Sequence, residues 1–193
     1  RGYFPVEELS TLRKFKSRLQ GHPSIQYLPG IDMSTGSLGQ GVSAAVGMAL
    51  AGKIDENDYR VYTLLGDGEL EEGQVWEAAM CAAHYKLNNL TAFIDFNGLQ
   101  IDGDITKVMN PCPIDKKFEA FGWNVLVIDG HNYEEIIDAI EKAKECKDKP
   151  TAVVCNTVKG KGVSFMEGKA EWHGKAPKAE EYEKAIEELK GRE

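Results

Sequence analysis

The chain has 193 residues, with 23 Lys and Arg against 31 Asp and Glu, a formal net charge of −8 and 42% hydrophobic residues. These values are typical of one ordinary globular domain. No apolar run approaches the ~20 residues that a membrane helix needs, so we expect no transmembrane segment and no membrane partner. The acidic balance argues against nucleic-acid binding, which needs a basic surface.

The four cysteines, at positions 81, 112, 146 and 155, form no C-x-x-C pair and lie in apolar or helical stretches. The sequence therefore predicts neither a zinc site nor a disulfide framework, and we expect a protein of the reducing cytoplasm. Arg1 is not a methionine, and no apolar signal segment follows it. We expect one domain over residues 1–193, shortened at its amino end.

Helical and strand-like patterns alternate along most of the chain. A helix rich in small residues is predicted over residues 38–51, where Val42, Val46 and Leu50 recur at helical spacing. Short, continuous apolar runs then predict buried parallel strands at residues 59–65, 90–96, 123–128 and 151–158. Helical patterns lie at residues 69–87 and 133–146, and a charged helix with one apolar stripe is predicted after Pro177.

This alternation predicts an α/β fold of three layers, in which helices cover both faces of a mostly parallel sheet. Ligands of such folds bind at the carboxyl ends of the strands. The first strand runs into Gly66-Asp67-Gly68, and the helix predicted there offers free N–H groups to a phosphate. Because Asp67 would repel a phosphate, a bridging cation such as Mg²⁺ is expected between them.

The next strand ends at Asp95-Phe96-Asn97, and Asn97 lies thirty residues after Asp67. If the two strands are neighbours, the Asn97 amide oxygen and the turn carbonyls around Leu99 lie near the Asp67 carboxylate. These hard oxygen ligands suit magnesium. The sequence therefore predicts a metal and diphosphate site that is shared by two strand ends.

Gly66-Asp67-Gly68 followed by Asn97 resembles the thiamine diphosphate motif. The surrounding sequence resembles the amino-terminal part of transketolase, particularly its split, two-chain form in bacteria and archaea. Further matching stretches follow in collinear order over essentially the whole chain: residues 21–23 (GHP), 36–41 (GSLGQG), 66–73 (GDGELEEG), 101–103 (IDG) and 172–174 (WHG). The resemblance implies a thiamine diphosphate-binding fold and ketol (two-carbon) transfer between sugar phosphates, as in the pentose phosphate pathway.

Carried over position by position, the resemblance implies that the metal, Mg²⁺ or Ca²⁺, is bound by Asp67, the Asn97 side chain and the Leu99 carbonyl. Gly66 and Gly68 would contact the cofactor, and Gly68 would help to hold its diphosphate. The cofactor is thiamine diphosphate, which acts as the electron sink of such reactions.

The same resemblance implies that Leu38 and Ile101 line the cofactor rings. His22 would face the sugar substrate, and His173 would lie near the diphosphate and the reacting carbon, where it would assist proton movement. Glu72 matches a glutamate that the family places at the subunit interface.

No segment matches the pyrimidine-binding domain of the family, which supplies a glutamate for cofactor ionisation. The resemblance therefore implies half of a composite active site, completed by a carboxyl-terminal transketolase subunit in a homodimer or heterotetramer. An upstream family segment with further histidines also has no counterpart here. We expect the isolated chain to be inactive.

Three alternatives remain open. Residues 39–44 (GQGVSA) satisfy a dinucleotide fingerprint, although that motif must follow a strand and residues 32–37 are turn-like. A catalytically silent metal and diphosphate module is a second alternative. Another thiamine diphosphate enzyme, such as deoxyxylulose-phosphate synthase, is a third, but residues 21–23 and 172–174 favour transketolase.

Overall fold

The structure is a computed structural model that describes residues 2–191. Its helices and strands alternate along the chain as follows: α1 (Gln40–Ile54), β1 (Val61–Gly66), α2 (Gly73–His84), β2 (Leu90–Phe96), β3 (Leu99–Gln100), β4 (Gly103–Asp104), α3 (Ile105–Val108), α4 (Ile114–Ala120), β5 (Asn124–Asp129), α5 (Tyr133–Glu145), β6 (Thr151–Asn156) and α6 (Ala179–Lys190). Short 3₁₀ helices cover Val6–Thr11, Gly68–Glu71 and Ala170–Trp172.

The four long strands form one parallel sheet in the order β1-β2-β6-β5, and β3 and β4 form a separate antiparallel pair. In this register Gly66 of β1 lies opposite Asp95 of β2, and Asp95 lies opposite Cys155 of β6. The strands therefore end at one edge of the sheet. The prediction of four parallel strands is confirmed, with boundaries that shift by a few residues. The prediction that all four are buried is wrong for the outer strands β1 and β5, where Leu64 is 73% and Val127 is 56% exposed.

Helices cover both faces of the sheet. On one face, α1, α2 and α4 pack on alternate strand residues such as Ala92 and Ile94. On the other face, α5 packs through Ala139 against Val153 and Cys155. Because a strand points successive side chains to opposite faces, the two central strands must be largely apolar on both faces. The sequences of β2 and β6 are apolar apart from Thr91, Asp95, Thr151 and Asn156. The expected α/β architecture is confirmed.

Two predicted helices differ from those observed. The helix predicted over residues 69–87 begins only at Gly73, because residues 68–71 form a 3₁₀ helix and Glu72 is extended at φ −73° and ψ 125°. The apolar stripe of α6 is only partly covered, since Ala185 is buried while Tyr182 and Leu189 are exposed. Helical periodicity predicted both helices. It did not predict the 3₁₀ segment that shortens the first, or the exposure of part of the apolar stripe of the second.

The dinucleotide alternative is wrong. The structure contains no strand between residues 2 and 60, so the 39–44 motif follows irregular chain rather than the strand that a dinucleotide fold requires. Its first glycine, Gly39, adopts a left-handed conformation at the start of α1.

Across residues 2–191, no helix combines the length and the apolar character that crossing a membrane would require.

The face between α2, α4 and the sheet is anchored by Phe118, which is 1% exposed and lies 5.3 Å from the Trp76 ring and 5.2 Å from the Trp123 ring, centroid to centroid. We expect Phe118→Ala to lower the free energy of unfolding by about 3–5 kcal/mol, because it removes a buried ring and leaves a cavity. Phe15→Ala, at a side chain that is 93% exposed, should change it by less than about 0.5 kcal/mol. Urea unfolding followed by fluorescence measures both, and equal losses would contradict this account of the core.

Candidate functional site

The centre of the site is Asp67, which follows β1 directly and is 1% exposed. One of its carboxylate oxygens accepts the Gly68 N–H at 2.8 Å, and the other accepts the Gly98 N–H at 2.6 Å. Burial raises the pKa of Asp67, and these two N–H groups offset part of that shift. The nearby Asp95 carboxylate raises the pKa further, whereas the Lys159 charge lowers it. The net result is a pKa above the ordinary aspartate value.

This environment fits a bound cation. Buried charges in proteins are normally paired or coordinate a metal. None of the ion pairs formed among residues 2–191 includes Asp67. The remaining lone pairs of its carboxylate are therefore available to a divalent ion, which would repay the cost of burial.

The other two predicted metal ligands lie in the turn after β2. Gly98 adopts φ +76°, and the Asn97 amide oxygen accepts the Leu99 N–H at 3.0 Å. The Gly98 N–H that bonds Asp67 lies between these residues. The structure therefore brings Asp67, Asn97 and the Leu99 turn together, as predicted if β1 and β2 are neighbours.

Among residues 2–191, no group of three or more His, Cys, Asp or Glu side chains is placed to hold a metal ion. The predicted set has a different composition, because it joins one carboxylate to one amide oxygen and one backbone carbonyl. Such hard oxygen donors suit Mg²⁺ or Ca²⁺. Metal binding at these three residues stays a prediction.

The glycines on either side of Asp67 both donate their N–H groups to nearby carboxylates. The Gly68 N–H donates to Asp67, and the Gly66 N–H donates to Glu69 at 3.1 Å. A Cβ added to Gly68 would lie 2.8 Å from the Gln100 side-chain oxygen, so a larger residue here would require the Gln100 side chain to move. The chain turns here through a 3₁₀ helix in which the Gly68 N–H is already bonded to Asp67, and phosphate binding by the N–H groups of this turn stays a prediction. The cofactor contacts of Gly66 and Gly68 stay predictions.

Glu69 has a structural role that the sequence did not reveal. One carboxylate oxygen accepts the Gly39 N–H at 2.8 Å, and the other accepts the Gly66 N–H at 3.1 Å. The start of α1 is thereby fixed to the end of β1. Its position in the first turn of a presumed helix gave no signal, because the partner on Gly39 lies thirty residues away in sequence.

The two residues predicted to line the cofactor rings are exposed at this edge. Leu38 is 55% exposed and is held by the neighbouring Gly39 bond, and Ile101 is 72% exposed in the turn between β3 and β4. A cavity of about 810 Å³ opens beside β1 and is lined by Leu38 and Glu69, among others. Its lining does not include Asp67, so it borders the predicted metal site without containing it.

The predicted catalytic histidines lie on two separate surface segments. His22 is exposed, and its ring lies so close to Gly36 that a Cβ there would collide with it, which joins the 21–23 and 36–41 motifs. His173 is exposed after the Ala170–Trp172 turn, where the Trp172 indole donates to the Phe165 carbonyl at 3.0 Å. Among the hydrogen bonds of the described chain, none joins either imidazole to Asp67.

Glu72 is exposed at the start of α2, as an interface residue would be before its partner binds. Sequence reasoning missed the role of Asp95 at the strand ends. Asp95 accepts hydrogen bonds from Asn97 and Thr157, and Lys159 carries a positive charge that acts on Asp67. The roles of Glu72 and both histidines stay predictions.

The chain resembles known proteins over its whole length. The family model described as "Transketolase, thiamine diphosphate binding domain" matches residues 1–191. The chain is 50% identical over 190 residues to the 6-deoxy-6-sulfo-D-fructose transketolase subunit SqwG of Clostridium sp. strain MSTE9. It is 46% identical over 192 residues to an apulose-4-phosphate transketolase subunit of Phocaeicola vulgatus, and 45% identical over 190 residues to human transketolase.

Coverage differs between these relatives. The alignments span 98% of this chain and 69% of the clostridial protein, and 100% of this chain and 68% of the Phocaeicola protein. They span 97% of this chain but only 30% of the human protein. The crystal structure of transketolase from Campylobacter jejuni matches with a TM-score of 0.90 and 39% identity, over 95% of this chain and 30% of that chain.

The Glu69 bridge is tested by Glu69→Gln, which keeps the side-chain size but offers one oxygen acceptor in place of two. Because the Gly39 and Gly66 N–H groups then cannot both be accepted, we expect a loss of about 1–3 kcal/mol in unfolding free energy. Amide exchange at Gly39 or Gly66 should rise. The same change at the exposed Glu183 serves as the control. Unaltered stability and exchange in Glu69→Gln would show that the bridge does not hold α1 to β1.

Proposed function

The chain belongs to the transketolase family, as its thiamine diphosphate-binding domain, and we propose that it holds the cofactor's diphosphate through a divalent metal ion at Asp67, Asn97 and Leu99. The observation that carries this proposal is the Asp67 carboxylate, which is 1% exposed and outside the ion pairs of the described chain. The Gly98 bond ties it to the turn that carries the other two ligands. Mg²⁺ suits this set best, and Ca²⁺ is an acceptable substitute.

Bound thiamine diphosphate supplies the electron sink for breaking and forming the carbon–carbon bond of a ketose. The chain contributes binding and orientation. Asp67 and Asn97 hold the metal, Gly66 and Gly68 allow close approach to the backbone, and the Lys159 charge offsets negative charge at the same edge. Leu38 and Ile101 give apolar surface to the cofactor rings.

His173 and His22 are the proton-handling and substrate-facing groups of this proposal. An imidazole is suited to both roles, since its ordinary pKa lets it donate and accept protons near neutral pH. The Trp172–Phe165 contact anchors the segment that presents His173. The contact of His22 with Gly36 orients it beside the segment that carries Leu38.

The reaction that we propose is ketol transfer between sugar phosphates, performed only with a carboxyl-terminal transketolase subunit. Two relatives that the chain matches over most of their length are named as transketolase subunits, which supports a partner. Their names carry different sugars, a sulfofructose and apulose 4-phosphate, so the proposal stays at the substrate class. In this proposal the exposed Glu72 lies at the subunit interface of a homodimer or heterotetramer.

We also propose a cytoplasmic location and a role in pentose phosphate interconversion, supported by four free cysteines and by the family assignment.

A silent module that binds metal and diphosphate without catalysis is the second candidate. The two differ in one result, which is whether ketol transfer appears when the partner is added.

The metal site is tested by titrating thiamine diphosphate into the full chain, with Mg²⁺ and then with EDTA, alone and with a carboxyl-terminal transketolase subunit. Asp67→Ala should abolish the metal-dependent part of binding, because it removes the charged ligand. Asp58→Ala, an exposed aspartate before the opposite end of β1, should bind normally. Binding should also weaken as the pH falls through the raised pKa of Asp67, because a protonated carboxyl no longer holds the metal. Unchanged affinity in Asp67→Ala would remove Asp67 from the site.

The role of His173 is tested in the mixture of this chain with the partner subunit. We expect His173→Ala to lower kcat for ketol transfer by roughly 10²–10⁴-fold, the usual contribution of a proton-transfer group. The unfolding midpoint should change little, since the side chain is exposed. His84→Ala, another exposed histidine, is the control and should retain full activity. Full activity of His173→Ala would return His173 to an ordinary surface position, and absence of transfer in the wild-type mixture would favour the silent module.

A further inference from the structure

Asp95, the next-to-last residue of β2, contacts the ends of three strands. Its backbone carbonyl accepts the Asp67 N–H at 3.2 Å. One carboxylate oxygen accepts the Asn97 side-chain NH₂ at 2.9 Å, and the other accepts the Thr157 hydroxyl. Thr157 directly follows β6, and its own N–H donates to the Phe96 carbonyl at 3.1 Å. Asp95 is not one of the proposed metal ligands, so these contacts need another explanation.

The chemistry of the two side chains fixes the direction of the Asn97 amide. An ionised carboxylate only accepts hydrogen bonds, whereas an amide has a donating end and an accepting end. Asn97 must therefore turn its NH₂ group to Asp95 and its oxygen away from it. The oxygen points into the 97–99 turn, where it accepts the Leu99 N–H at 3.0 Å and keeps a second lone pair.

Resting on the proposed function, we infer that Asp95 is a positioning residue that holds the Asn97 amide with its oxygen toward the metal and thereby sets metal affinity. Without such a partner, the two ends of an amide are nearly equal in shape, and a flipped Asn97 would present NH₂ to a cation. A wrongly turned amide repels the ion that the correct one binds.

Thr157 acts through Asp95 in this arrangement. Its hydroxyl holds the carboxylate oxygen that does not face Asn97, and its backbone bond to Phe96 fixes it across β2 and β6. The Asn97 orientation is thus supported by two strands of the sheet. Outer partners of metal ligands typically contribute 10–100-fold to metal affinity.

The test is Asp95→Asn in the full chain, which keeps shape but replaces an acceptor-only group by one that also donates. With thiamine diphosphate present, and with the partner subunit if the wild type needs it, we expect Mg²⁺ affinity by titration calorimetry to fall 10–100-fold. Asp129→Asn is the matched control, since Asp129 ends β5 at the same edge of the sheet and its carboxylate accepts the His131 N–H. It should bind Mg²⁺ like the wild type.

A second measurement needs no metal. In ¹H–¹⁵N spectra, the Asn97 side-chain NH₂ should exchange slowly in the wild type and rapidly in Asp95→Asn and in Thr157→Val, which leaves Asp95 in place but unsupported. If Asp95→Asn does not fold, Thr157→Val carries the test, with an expected loss of roughly 3–10-fold in Mg²⁺ affinity, below the range of direct outer partners.

The outcomes separate the inference from the function beneath it. Wild-type Mg²⁺ affinity in a folded Asp95→Asn, or an unaltered Asn97 exchange rate, overturns the positioning role alone. Absence of Mg²⁺-dependent binding in the wild type with the partner present overturns the proposed function as well. A selective loss in Asp95→Asn and Thr157→Val, with Asp129→Asn normal, supports both.

Discussion

The site depends on one constraint, which is that Asp67 is a carboxylate buried at the end of a strand. Removing an ion from water costs several kcal/mol even after the protein relaxes. Two backbone N–H groups, from Gly68 and Gly98, offset part of that cost, yet burial still leaves the pKa raised. The same carboxylate also holds the 97–99 turn beside β1 through the Gly98 bond. The buried charge therefore both destabilises the fold and fixes the geometry of the site.

The parallel register explains why this works with so few residues. Gly66 lies opposite Asp95, so Asp67 and Phe96, the residues that follow them, lie side by side where the two strands end. The Asp67 N–H then meets the Asp95 carbonyl, and the Asp95 side chain reaches both Asn97 and Thr157. Three strand ends are joined around two carboxylates of like charge. Such an arrangement is stable only when hydrogen-bond donors, Lys159 or a bound cation compensate the repulsion.

The sequence predicted the sheet and the Asp67–Asn97 pairing because both follow from short-range patterns. Buried parallel strands read as continuous apolar runs, and parallel neighbours end together. The first turn of the helix predicted over residues 69–87 could not be predicted in this way. Glu69 accepts the Gly39 and Gly66 N–H groups, and this bridge belongs to a 3₁₀ helix that periodicity cannot detect. Asp95 was overlooked because its role depends on a contact with Thr157, which lies far along the chain.

The two halves of the candidate site also differ in how they are held. Asp67 is buried and fixed by hydrogen bonds to its neighbouring turns, whereas Leu38, Ile101, His22 and His173 are exposed. Exposed apolar side chains such as Leu38 and Ile101 are stabilised when a ligand or another chain covers them, because burial removes apolar surface from water. Under the proposed function, the cofactor rings and the partner subunit provide that burial. The chain then contributes rigidity where charge must be placed accurately, and leaves its substrate-facing residues on segments that the partner can order.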